Sequence, residues 1–108
     1  MRTITGLKML AVCVTTLATA ASYAAGDAEA GRSKAFTCMG CHGVPSYTNA
    51  YPTYHVPKLG GQHAQYLVAA LQGYKSGQRN HGTMRAQAAN LSDQDMEDIA
   101  AYFAGRTE

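Results

Sequence analysis

Apolar positions recur at a helical period in two long stretches of the chain. Near the C-terminus, Met96, Ile99, Ala100 and Phe103 fall on one stripe, with Tyr102 beside it. Asp93, Glu97 and Asp98 take the other side and read as a solvated face. Ser92, with Asp95 three positions on, predicts a capping box at the start of this helix, and Gly105 its end. Upstream, Leu67, Ala70, Leu71 and Tyr74 follow the same i, i+3, i+4, i+7 spacing and predict a helix over 61–76, closed by Gly77. A further helix is expected from Asp27, as its cap, through about Cys38, with Asp27 and Glu29 favoured by the helix dipole and Ala35 and Phe36 adding apolar surface. Gly31 is out of place there, because a mid-helix glycine costs about 1 kcal/mol, and close approach of another helix is the reason to expect. Between these helices, 43–58 holds all three prolines and Tyr47, Tyr51 and Tyr54. It shows neither helical nor strand periodicity and reads as loop. A coil over 78–81 and a loop at Gly82-Thr83-Met84 lead into a short helical stretch over 85–89. The fold class expected is all-α.

The first 24 residues change what counts as the domain. Arg2 and Lys8 precede an uncharged apolar run from Met9 to Ala20, and Ser22-Tyr23-Ala24 places small residues where a signal peptidase reads. The run is about a dozen residues, short of the roughly 20 a membrane span needs. Residues 1–24 are therefore expected to be a secretory signal, with Cys13 lost as an ordinary apolar residue, and 25–108 the mature domain. Lys+Arg then falls from 9 to 7 against 7 Asp+Glu, so the mature chain is neutral. That balance argues against nucleic acid as a partner. The 84 residues from 25 to 108 make one small domain that needs a staple beyond its own core.

Cys38-Met39-Gly40-Cys41-His42 supplies one. Two cysteines three positions apart, followed at once by histidine, have the spacing of c-type haem attachment. On one helical turn both sulfurs face the same side and can add to the two haem vinyl groups, and His42 is placed as proximal iron ligand. A thioredoxin-like pair needs a βαβ setting that the pattern does not show. A zinc site needs four ligands from closely spaced pairs, and His55, His63 and His81 are too scattered to complete one. One motif implies one haem c. What fills the sixth iron position separates a carrier from a catalyst or gas binder. Of five methionines, Met1 and Met9 lie in the leader, Met39 lies inside the attachment turn and Met96 lies on a core stripe. Met84 remains, 42 residues after His42, which is enough chain to return on the far face of the haem. His55, His63 and His81 are rivals that read more simply as surface histidines.

The motif, together with Pro57-Lys58-Leu59-Gly60-Gly61-Gln62, Tyr66-Leu67, Leu71, Tyr74, Gly77, Arg79, Met84, Leu91, Asp95, Ile99-Ala100 and Tyr102-Phe103, resembles a class I cytochrome c. The likeness is to small periplasmic bacterial mono-haem cytochromes and to one half of di-haem ones. It implies three to five short helices wrapped around one covalent haem. It also implies that Cys38 and Cys41 form the thioethers and that His42 and Met84 are the axial ligands. Pro57 matches a proline whose carbonyl accepts the proximal histidine's Nδ1 proton, and Leu59 matches a residue packed on the haem. Gly31 and Phe36 would cross Ile99 and Tyr102. Two departures stand out. Gly82-Thr83 precede Met84 where many relatives carry proline, and the tyrosine-rich loop 44–56 matches no motif of the family.

The expected function is that of a periplasmic one-electron carrier rather than an enzyme. It is expected to act as a monomer, to dock transiently on redox partner proteins and to take no small-molecule substrate. Arg79 is expected near a haem propionate. Lys58, Lys75, Arg79 and Arg85 are expected to form a weakly positive rim. The tyrosines of 43–58 are expected to pack over a haem face. Two alternatives stay open: a haem subunit of a larger dehydrogenase or oxidase, and an enzyme or gas sensor with an open sixth site.

Overall fold

The computed structural model describes residues 25–107. The expected signal segment, 1–24, lies outside the described residues. Five helices and one short hairpin follow in chain order: α1 (Ala28–Lys34), α2 (Met39–His42), β1 (Thr48–Ala50), β2 (Thr53–His55), α3 (Ala64–Ser76), α4 (Gly82–Ala88) and α5 (Asp93–Ala104). Helix α5 is the centre, with α1 crossing it on one side and α3 packed along another. Helix α4 lies against α3. The core is built from the two predicted stripes, with Leu67, Val68 and Leu71 of α3 meeting Met96, Ile99, Ala100 and Phe103 of α5. Full burial of side chains the size of Met96 and Phe103 contributes about 1.5–3 kcal/mol each. Among the described residues, no helix is long and apolar enough to cross a membrane.

The helix ends follow the predicted chemistry. The Asp27 carboxylate accepts from the Glu29 and Ala30 amides. Ser92 and Asp95 form the reciprocal capping box of α5. Gly77 ends α3 in the left-handed region at φ 82°. Gly31 has the reason expected of it, since a Cβ there would lie 1.9 Å from the Asp98 carbonyl oxygen. The bare backbone of α1 is what lets α5 approach.

Four expectations are corrected. The first helix does not run to Cys38. It stops at Lys34, and the Cys38 amide turns back to the Ala35 carbonyl before α2 starts. That turn leaves Phe36 81% exposed and puts Ala35, fully buried, in the core instead. Asp98 is not on a solvated face. It is buried, accepting from the Asp27 amide at 2.8 Å, from Gln94 at 2.8 Å and from the Lys34 ammonium at 2.6 Å. Helix α3 starts three residues later than predicted, because Gly61 adopts φ 76° and His63 is the extended N-cap residue. The loop 43–58 contains a hairpin, with Thr48 opposite His55, Asn49 opposite Tyr54 and Ala50 opposite Thr53. Three-residue strands are too short to show a period of two, and polar side chains brace this pair. Thr48 Oγ1 and His55 Nδ1 lie 2.9 Å apart, and Asn49 Nδ2 donates to the Pro52 carbonyl at 2.7 Å.

Candidate haem site

Helix α2, the hairpin, and helices α3 and α4 enclose a cavity of about 390 Å³ with a mainly apolar wall. Cys38, Cys41, His42, Pro57, Leu59, Arg79 and Met84 all line it, so the fold brings the residues expected to attach, ligate or surround a haem to one place. Leu67 and Leu71 of α3 and Ile99 and Phe103 of α5 form part of its apolar wall.

One wall is set by α2. Its single turn puts Cys38, at the N-cap, and Cys41 into the same cavity, both as free thiols. Burial pushes the Cys38 thiol above its ordinary range. His42, the last residue of α2, is held from outside. Its Nδ1 lies 2.8 Å from the Pro57 carbonyl oxygen. A carbonyl can only accept, so Nδ1 carries the proton and the Nε2 lone pair is left for a metal. Phe103 meets the same ring edge-on, with centroids 6.5 Å apart. A hydrogen bond and a packed ring thus hold the imidazole.

Met84 comes from another element. It was expected in a loop, but it sits in the first turn of α4, whose N-cap is His81. The Met84 amide donates to His81 Nδ1 at 3.4 Å. His81 was read as a surface histidine; it is half-buried and lines the cavity. His55 also lines it, whereas His63 stands at the start of α3 outside it. Arg79 lies over the Tyr74 ring at 4.8 Å and reaches Tyr66, whose hydroxyl is 3.5 Å away. The Tyr66 hydroxyl raises the guanidinium further above its already high range. Of the loop tyrosines expected over a haem face, Tyr54 lines the cavity and Tyr51 is exposed; Thr83, which sequence reasoning missed, also lines it and is joined to Tyr54 by a 3.2 Å hydroxyl contact. Their 29-residue separation left no local signal.

A histidine with a free Nε2, two thiols one turn apart and an apolar wall define a covalent haem site in a small helical protein. The cytochrome c family profile matches residues 28–106. The chain is 43% identical over 100 residues to cytochrome c4 of Pseudomonas aeruginosa, covering 92% of this chain and 48% of that protein. It is 45% identical over 85 residues to cytochrome c-554(548) of Halomonas halodenitrificans, covering 76% of this chain and 99% of that one. Among solved structures, thiosulfate dehydrogenase from Marichromatium purpuratum superposes at a TM-score of 0.65 and 33% identity, over 82% of this chain and 21% of that one. The chain belongs to the cytochrome c family. It spans about half the length of the cytochromes c4 it matches.

Members of this family carry covalently bound haem c. The residues here fit that group. The cavity falls in the roughly 300–1,000 Å³ range of cofactor pockets. Its wall offers two thiols for covalent attachment and an imidazole in the metal-binding tautomer.

Proposed function

We propose that the protein is a periplasmic one-electron carrier with a single His/Met-ligated haem c. The observation that carries this reading is the Pro57–His42 hydrogen bond, which leaves Nε2 free beside a cavity that Met84 also lines. Cys38 and Cys41 form the thioethers, His42 is the proximal ligand and Met84 the distal one. Haem supplies reversible one-electron chemistry when bound, and the chain supplies the rest. The Pro57 carbonyl keeps the imidazole in one tautomer and one orientation and raises its basicity. Leu59, Leu67, Leu71 and Phe103 exclude water from the cavity. An apolar surround and a thioether ligand both favour the less charged iron state, so the potential is expected to be positive. Two strong side-chain ligands leave no metal position for a substrate, which is why the reading is a carrier and not an enzyme. The signal at 1–24 would deliver the protein to the periplasm, where brief docking on redox partners uses small interfaces.

The test is the visible spectrum of the purified holoprotein beside a Met84→Ala variant. Low-spin spectra in both oxidation states, with a weak far-red band that the variant loses, are expected. A high-spin wild type, or an unchanged variant, would sink Met84 ligation and bring forward the open-site reading. A second reading, that the domain is a fixed electron relay in a larger assembly, has the likeness to part of a thiosulfate dehydrogenase in its favour. Retention of the protein in a large complex on size-exclusion chromatography of a native periplasmic extract would favour it.

A further inference from the structure

Helix α4 has little stiffness of its own. It is seven residues long, below the roughly 12–15 at which an isolated helix becomes even marginal. Its first residue is Gly82, around which a Cβ would find nothing within 4 Å. Gly82-Thr83, not a proline, stand directly before Met84. The restraint on Met84 therefore has to come from elsewhere in the fold.

Packing of α4 against α3 supplies part of it, and the tyrosine-rich hairpin meets the residues just ahead of Met84. The hairpin is braced internally by the Thr48–His55 and Asn49–Pro52 bonds and by Thr53 Oγ1 donating to the Ala50 carbonyl. From β2, Tyr54 reaches across to the residues just before Met84. Its hydroxyl lies 3.2 Å from Thr83 Oγ1. Its ring meets the His81 imidazole edge-on, at 4.6 Å between centroids and 87° between planes. His81 in turn accepts the Met84 amide proton at Nδ1. One side chain thus grips two of the three residues ahead of Met84, and one of those two holds the Met84 backbone. Simple packing of Tyr54 would account for the ring contact but not for the paired hydroxyls.

We infer that Tyr54 is a positioning residue for Met84, the hairpin acting as a strut that holds the first turn of α4 in place of local backbone rigidity. This rests on the proposal that Met84 ligates the iron, and the test separates the two. A hydroxyl pair contributes about 0.5–1.5 kcal/mol, which corresponds to about a 2- to 10-fold change in how often Met84 leaves its place. The ring contact contributes a similar amount.

The experiment measures imidazole entry into the ferric holoprotein at saturating imidazole, where the rate reports departure of the sixth ligand, together with hydrogen exchange of the Met84 amide. Tyr54→Phe and Thr83→Val should each raise both rates about 2- to 10-fold, and the double variant should exceed neither single one by much. Tyr54→Leu, which also loses the ring, should raise them about 10-fold or more. Tyr51→Phe, at a 94% exposed tyrosine of the same hairpin, is the control and should change nothing. Thr83 is exposed, so its variant tests the contact even where a Tyr54 variant folds poorly. If Met84→Ala loses the far-red band while Tyr54→Phe and Thr83→Val match the wild type, Met84 ligation stands and the strut is refuted. If Met84→Ala keeps the band, ligation itself fails, and the strut loses its purpose by a separate result.

Discussion

Gly31→Ala tests the packing that supports the whole site. The new Cβ would lie 1.9 Å from the Asp98 carbonyl oxygen, 2.5 Å from its carbon and 3.0 Å from Tyr102 Cβ. Real Cβ contacts essentially never fall below 3.0 Å, so α1 and α5 would have to part by about 1.1 Å. The obstacle is backbone, which cannot swing aside as a side chain tip would. Parting the helices also pulls Asp98 away from the Asp27 amide and the Lys34 ammonium. Two effects oppose each other. Alanine gains about 0.5–1 kcal/mol over glycine in a helix interior. Overpacking costs about 1–3 kcal/mol or more. Because the obstacle is backbone, the cost falls at the upper end, about 3 kcal/mol, so the second wins, for a net loss of about 2 kcal/mol. A domain of this size loses about 4–8 °C in Tm per kcal/mol, so the midpoint should fall by about 8–16 °C. Thermal unfolding of the holoprotein by far-ultraviolet circular dichroism reads this directly. Gly82→Ala, with open space around its Cβ, is the matched control and should be neutral or slightly stabilising. A Gly31→Ala protein as stable as the wild type would refute the close-crossing argument.

Three further outcomes follow from the same structure. Met96 is fully buried, so Met96→Ala should cost about 2–5 kcal/mol in denaturant unfolding of the holoprotein, and a loss under 1 kcal/mol would contradict its core position. The Lys34 ammonium, with backbone donors at Ser92 and Asp27, holds the Asp95 and Asp98 carboxyls at about 2, below the ordinary 3.8. Because the folded value is the lower one, their stabilisation is fully present above about pH 4 and is lost as pH falls toward 2. The stability gap between wild type and Lys34→Met, measured by urea unfolding, should therefore narrow across that window, and a constant gap would count against the ion pair. Arg79 carries a cation on the cavity wall, so Arg79→Gln should lower the midpoint potential in redox titration by removing a charge that favours the reduced state. An unchanged potential would leave Arg79 a structural role over Tyr74 and Tyr66.

Local signals were legible wherever a few neighbouring residues suffice to set the structure. The Cys38–His42 motif needs five positions, and its reading agrees with the family match and with one cavity that holds both thiols and the imidazole. The α3 and α5 stripes, the Ser92–Asp95 box and the Gly77 stop are each set within one or two helical turns, and all were found where expected. Gly31 was legible as an anomaly whose cause lay elsewhere. Other features depended on residues far apart in the chain. Asp98 looks solvated on its own helix, and only the arrival of Asp27 and Lys34, 71 and 64 residues away, makes its burial tolerable. Phe36 looks like core until the chain turns after Lys34 and Ala35 takes its place. His81 reads as coil, but becomes the cap of α4 and a neighbour of Tyr54. Sequence by itself determined the attachment chemistry and the apolar stripes of α3 and α5 with the caps that end or start them, because backbone propensity and side-chain period act over a few residues. Tertiary structure alone decided how Met84 is held and which charges are buried, because those depend on contacts whose partners no local pattern can name.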